Sequence, residues 1–569
     1  MSYKKNSREI EFEEIFLDAK NAPGYHRENL EGSIENPIKS GIFVTLGIFF
    51  FIVAGLFSGR LAYLQVVKGE ALRERSEKNY IKISKLEAER GIIYDRNGEE
   101  LLGNALDNAG NWRRNYLETG FLHLVGFTSR ANKSADDPKQ LEGVAGLEAT
   151  YDELLRGIGT RAIEEVDAKG QVVSFGIAEP GREGKNLLTS IDKNLQIKLT
   201  EIIRTSAETY GFTGGVGIVM DVTNGEIIAM TSVPEFDPNI LISGEKNSPQ
   251  AVASLVNDPK KPFLNRAVGG LYPPGSIVKP AVALGALAEK IISPGKKILS
   301  TGSISIPNPY FPDQPTIFRD WKAHGWVDMR MAIAVSSDVY FYEVGGGYGD
   351  QQGLGANNLK KYFSLFGFGE RAGIDTVGEK EGYVPDQQNN KNKKAWNIGD
   401  TYHLAIGQGD FLVTPMQVAV YTAAIASRGI LEYPHLVKAI VDKNKEIEER
   451  FDYTPKRADI RDAILPDFFT IIHEAMRGSA TYGTASGLGG FPISIAAKTG
   501  TAEIGDTGRV HSWSIGFFPY ERPRLAFTIL MENGSAANLV GGTYVASQMI
   551  QWMLQSDFLA KLDNGIIIK

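Results

Sequence analysis

Ser276 and Lys279 stand three residues apart in the stretch PPGSIVKP. Gly275 and the two prolines before it break the preceding structure, and AVALGALAEK after it is a strong helix former, so the sequence predicts a helix that starts here. Residues i and i+3 share a helix face, which lets the lysine amine lean over the serine hydroxyl. Pro280 falls in the first turn, where a missing N–H costs little. A serine hydroxyl is a poor nucleophile until a base takes its proton. An amine can be that base only if its pKa falls well below the free value of about 10.4. Burial, a second cation and the N-terminal end of a helix all push it down. The chain must therefore supply another positive charge and an apolar wall.

The spacing alone selects nothing, because S-x-x-K also occurs at Ser2, Ser190, Ser243 and Ser293. Ser2 lies in a polar stretch. Ser190 lies in a probable strand, where i and i+3 point to opposite faces. Ser243 and Ser293 precede turn-like polar segments. Two companions set Ser276 apart: Ser336-Ser337-Asp338 in AVSSDVYFY, then Lys498-Thr499-Gly500 in AAKTGTAE. S-x-x-K, S-x-N and K-T-G in that order are the signature of penicillin-recognising serine enzymes. The chain resembles the class B, monofunctional penicillin-binding proteins, and its aspartate at 338 resembles the elongation-type branch more than the septal one.

The resemblance implies a membrane-anchored peptidoglycan D,D-transpeptidase. Ser276 would attack a stem-peptide carbonyl and Lys279, held neutral, would take its proton. Lys498 would be the cation that depresses Lys279, and Ser336 would relay the proton to the leaving amine. The backbone N–H groups of Ser276 and Thr501 would hold the oxyanion. Gly500 would let a substrate backbone approach the strand edge, and Thr499, Thr501 and Lys498 would hold a terminal carboxylate. Asp338 offers only acceptors when ionised, where asparagine offers both a donor and an acceptor; it is expected to face the substrate amide, with protonation or pairing with Lys279 as the alternatives. β-Lactam antibiotics would acylate the same serine. A polytopic glycosyltransferase of the SEDS family is the implied partner.

Bulk properties agree. A net charge of −7 argues against nucleic acid as a partner, and the absence of cysteine excludes disulfides and thiolate catalysis. No metal or cofactor is expected: His473-Glu474 would need a histidine at 477 for a zinc-protease helix, and Arg477 stands there.

The elements that must position the site follow in order. Residues 1–39 are expected to form a charged cytoplasmic tail. Residues 40–63 form a transmembrane helix, since Ser40 to Gly59 is free of charge and about 30 Å long as a helix. Lys68, Arg73, Arg75 and Lys78 follow this span closely, against Arg27 and Lys39 before it, so charge counting favours the opposite orientation. The resemblance nevertheless places the C-terminal bulk outside the cell membrane. An amphipathic helix is expected to continue to about Lys85. Residues 64–185 form a shortened pedestal, because only some twenty residues separate ERGIIYDRNGEELLGN from FLHLVGF where relatives have on the order of a hundred. Arg90, Asp95 and Arg96 are expected to form a buried ion-pair network there.

Residues 186–569 form the α+β transpeptidase domain, a five-stranded antiparallel sheet with helices and a helical subdomain. Asn224-Gly225 marks a hairpin of two alternating strands. Met329 to Val344 reads as one helix, and Thr414-Pro415 as an N-cap with proline at N1. Gln417 and Tyr421 are expected to serve structure, with cleft lining the alternative. A D,D-carboxypeptidase sharing the acylation site, or a penicillin-binding scaffold that activates a glycosyltransferase, remains as an alternative.

Overall fold

The computed structural model describes residues 40–563 apart from 74–80, 108–111, 131–140, 167–171, 243–247, 309–312, 389–394, 455 and 557. The expected tail lies outside the described residues. The chain divides into two compact units, one running through Ile83 with Ile163–Phe175, the other comprising Ser84–Ala162 and Gly176–Lys569.

The first unit carries α1, Ser40–Ala62. Mean hydropathy reaches 2.4 over an 18-residue stretch within Gly41–Val67, the one described helix long and apolar enough to cross a bilayer. Arg60 and Lys68 both lie over the ring of Tyr63, at 5.5 and 5.7 Å, where an aromatic side chain suits a membrane boundary. The helix does not run to Lys85. It gives way to a π-turn at Tyr63–Val67, and Ile81–Leu86 is a strand. The opening IKIS of this strand alternates with period two, which suits a strand and not a helix.

In the second unit, a six-stranded sheet forms the pedestal. Its strands Ile93–Tyr94, Glu100–Leu106, Trp112–Tyr116 and Asn186–Thr189 come from the N-terminal half, whereas Val437–Val441 and Ile447–Arg450 come from far along the chain. The Asn97-Gly98 turn is present, with Gly98 at φ +81°. The expected ion network takes different partners. Asp95 accepts the N–H groups of Asn97 and Glu99, both at 2.8 Å, and so closes its own turn. Arg90 instead donates to Glu148 Oε2 and Asp152 Oδ1, each at 2.6 Å, and Arg114 donates to Glu148 Oε1 at 2.5 Å. Arg96 reaches Glu226 at 3.6 Å. The Arg90–Glu148–Arg114 cluster is buried, and it links the opening of the pedestal to GLEATYDELLRG.

The catalytic sheet has five antiparallel strands: β1 Gly214–Asp221, β2 Ile227–Val233, β3 Ala496–Glu503, β4 Arg509–Phe518 and β5 Leu525–Ser535. Their order is β2-β1-β5-β4-β3, so β3 is an edge strand. The β1–β2 hairpin turns at Gly225, φ +86°. Both strands are buried at every position, where alternation was expected, because helices cover both faces. One face packs on α2 (Lys193–Tyr210) and α7 (Gly542–Gln555) through Leu199, Ile203, Val545 and Met549. The other packs on α3 (Lys279–Ala288) and α6 (Pro415–Ala426).

Removing Glu148 would leave two buried guanidinium groups without their shared carboxylate. Glu148→Ala is expected to cost about 3–5 kcal/mol of stability in the pedestal, read as a lowered denaturant midpoint.

Candidate active site

The nucleophile segment forms in two steps. Gly275–Val278 is a 3₁₀ turn, and α3 begins at Lys279 with Pro280 in its first turn. Gly275 sits at φ +59°, and its N–H donates to Gly407 O at 2.8 Å. A Cβ on Gly407 would come within 2.2 Å of Gly275 O, so both positions need glycine. Trp513 Nε1 donates to Pro273 O and Tyr421 OH donates to Ile277 O, both at 3.0 Å. These two buried side chains clamp the turn from either side of Ser276, which is itself half-buried. Tyr421 and Gln417 therefore serve structure. Gln417 closes a capping box with Thr414 and donates to Glu370 O and Glu381 O.

The second segment departs from the single helix expected over 329–344. It is two helices, α4 Met329–Ala334 and α5 Asp338–Gly346, broken at Ser336. Ser336 is left-handed, φ +60°, a conformation that costs a non-glycine residue about 1–2 kcal/mol. Asp320 braces the break. Its Oδ2 accepts Ser337 Oγ at 2.9 Å and Val339 N at 3.0 Å, while Ser337 caps α5. The break turns the Ser336 hydroxyl inward.

The third segment is the edge strand β3. Lys498 shares a face with Ala496 and Gly500, the face packed on α3, while Thr499 and Thr501 take the other. Thr499 Oγ1 lies 2.6 Å from Thr484 Oγ1, and Thr501 is exposed. Strand alternation thus sets the Lys498 side chain and the two threonine hydroxyls on opposite faces of β3. A Cβ on Gly500 would lie 2.8 Å from Ile277 Cγ2 and 3.0 Å from Pro274 O, so its bareness makes room for the nucleophile turn. Gln408 Nε2 donates to Thr501 O at 3.4 Å, tying the strand to the IGQGD segment.

The segments meet at Ser336. Lys498 Nζ donates to Ser336 Oγ at 2.8 Å and to Thr499 O at 2.7 Å. Lys279 Nζ reaches Ser336 O at 2.8 Å, Ser336 Oγ at 3.4 Å and Asp338 Oδ1 at 2.7 Å. Both lysines are fully buried. Burial, and then the charge of Lys279, pushes the Lys498 amine well below the ordinary lysine range, with Asp338 pulling the other way. Lys279 has a carboxylate partner in Asp338. The two amines expected to cooperate thus meet at one hydroxyl.

Residues 215–551 match the penicillin binding protein transpeptidase domain family, and residues 105–189 match the penicillin-binding protein dimerisation domain. The chain belongs to the penicillin-binding protein transpeptidases. Peptidoglycan D,D-transpeptidase MrdA of Haemophilus influenzae is 31% identical over 461 residues, covering 75% of this chain and 67% of the relative. MrdA of Escherichia coli is 26% identical over 610 residues, covering 89% and 92%. Among solved structures, Pseudomonas aeruginosa PBP2 in complex with WCK 5153 aligns with a TM-score of 0.68 at 29% identity, over 84% of this chain and 96% of that one. The Helicobacter pylori complex between PBP2 and MreC gives 0.68 at 26%, over 84% and 100%. A peptidoglycan synthase complex in which polymerization and crosslinking are coordinated gives 0.67 at 27%, over 91% and 98%. The penicillin-binding transpeptidase fold and the D,D-transpeptidase activity of the elongation-type branch follow from this membership.

Sequence reasoning missed Trp513, Asp320 and Thr484, none of which belongs to a motif. An aromatic or acidic residue on a buried strand or loop gives no local sign of what it will touch.

Two measurements test the geometry. Ser336→Gly adopts the left-handed conformation freely and removes the shared hydroxyl. It is expected to melt no lower than the parent while penicillin acylation slows at least about 100-fold. The second test concerns pH. Lys498 holds its proton less tightly in the fold than in the unfolded chain. Between its depressed pKa and about 10.4 the unfolded chain binds more protons, so this group's contribution to stability rises with pH. Below the depressed pKa the full cost of the buried cation is present. Comparing denaturant midpoints, the stability of Lys498→Met relative to the parent is expected to fall steadily as pH is raised towards about 10.

Proposed function

We propose that Ser276 is the acylated nucleophile and that the two lysines share one proton budget through Ser336. The observation that carries this reading is the position of Ser336 Oγ, within reach of both buried amines. A proton can leave Lys279 for Ser336 Oγ while Ser336 passes its own to Lys498, the amine whose neutral form burial favours. Lys279 is then neutral and takes the Ser276 hydroxyl proton as Oγ attacks the carbonyl of the penultimate D-Ala. When the tetrahedral intermediate collapses, the C–N bond breaks, Ser336 Oγ protonates the departing amine, and Lys279 returns to Ser336 Oγ the proton it took from Ser276. An amine of a neighbouring stem peptide then attacks the ester carbonyl and gives a proton to Lys279; the C–O bond breaks, Ser276 Oγ takes that proton back, and the cross-link is complete.

The backbone N–H groups of Ser276 and Thr501 form the oxyanion site in this reading. Loss of one such donor typically costs about 3 kcal/mol of barrier. The open edge of β3 takes the peptide as an added strand, and the hydroxyls of Thr499 and Thr501 meet its carboxylate. Asp338 holds Lys279 in place and offers an acceptor to the substrate amide. β-Lactams acylate Ser276 by the same path.

α1 anchors the chain in the cell membrane, with residues 1–39 cytoplasmic and the transpeptidase domain of 186–569 outside. Residues 64–185 act as a reduced pedestal. The likeness to the peptidoglycan synthase complex and to the MreC complex supports a membrane glycosyltransferase of the SEDS family as partner, and a further scaffold protein of the MreC kind.

A fluorescent penicillin is expected to label the full-length protein covalently, and Ser276→Ala is expected to abolish the label. Labelling that persists in that variant removes Ser276 from the mechanism.

A further inference from the structure

We propose that Trp321 and Trp326 bind the sugar chain of peptidoglycan beside the peptide cleft, an inference that rests on the transpeptidase reading above. The chain has six tryptophans. Only these two are exposed, at 61% and 66%, and they lie within one short segment. Trp326 belongs to the strand Gly325–Val327 and stands directly opposite Leu299, itself 43% exposed, so the two side chains share an outward face. Isolated exposed apolar residues are ordinary, but two exposed indoles five residues apart, one of them paired with an exposed leucine, call for a covering ligand.

The segment is joined to the active site. Trp321 follows Asp320, whose carboxylate holds Ser337 Oγ and Val339 N, the residues on either side of Asp338. Arg319 O accepts the hydroxyl of Tyr342 from α5 at 3.1 Å. The ring of His324 meets the Trp321 indole edge-on at 5.1 Å, which limits how the indole turns. The indole platform is therefore mounted on the same brace that sets Ser336 and Asp338.

The occupant follows from the substrate's chemistry. The reacting peptides hang from a polysaccharide, so sugar rings must pass within one peptide's length of Ser276. Pyranose rings present flat C–H faces that stack on aromatic rings, and their hydroxyls can accept from indole Nε1. Arg319 and Lys322 flank Trp321 and are exposed, which suits a ligand bearing carboxylates and disfavours a basic partner surface. Contacts remote from the reacting bond can be spent on placing it.

The test uses the full-length Ser276→Ala protein, titrated with soluble glycan strands stripped of their peptides and read by isothermal titration calorimetry. Saturable binding is expected, weakened at least tenfold by Trp321→Ala or Trp326→Ala and restored by Trp321→Phe. In the Ser276 background, the same alanine changes are expected to slow cross-linking of glycan-borne peptides more than tenfold, with a much smaller effect on a free pentapeptide. Penicillin labelling of these variants reports that they are folded. No binding of stripped glycan, or binding unchanged in the Trp321→Ala/Trp326→Ala double variant, overturns the proposal. Failure of penicillin to label the parent would instead overturn the transpeptidase reading.

Discussion

One hydroxyl held between two buried amines governs this site. Ser336 Oγ lies 3.4 Å from Lys279 Nζ and 2.8 Å from Lys498 Nζ, in surroundings that exclude water. Two like charges at such spacing in a poorly screened interior repel strongly, so the pair cannot hold both protons without cost. Asp338 compensates one of them, and the other amine is the one driven towards neutrality. The perturbation is therefore a consequence of placement, and it creates an acceptor next to a donor.

Much of the surrounding structure exists to keep that placement. Ser336 adopts a left-handed backbone that is unfavourable in isolation, and Asp320 holds the residues after it. Lys498 comes from an edge strand whose next inward position is a bare glycine, which lets the nucleophile turn press against the strand. Trp513 and Tyr421 fix the carbonyls on both sides of Ser276. Each support comes from a different stretch of the chain, so the site exists only once the sheet and both covering layers have closed.

Motifs and strand patterns carried a large part of this. Ser276, Lys279, Ser336 and Lys498 were legible because their spacing and order recur as a chemical unit. The catalytic sheet was legible in part from the Asn224-Gly225 hairpin. The break at Ser336 was not, since AIAVSSDVYFY has unbroken helical character and the interruption is imposed by tertiary contacts to Asp320. The roles of Arg114 and Glu148 were hidden for a similar reason: buried ion pairs join residues whose separation in sequence carries no signal.

A double-mutant cycle on penicillin acylation tests the shared-hydroxyl account most directly. Rates are measured for the parent, Ser336→Ala, Lys498→Met and the combined variant. If the hydroxyl and the amine act as one unit, the combined variant is no more than about threefold slower than the slower single variant. If the two losses multiply, Ser336 and Lys498 act independently and the account is wrong.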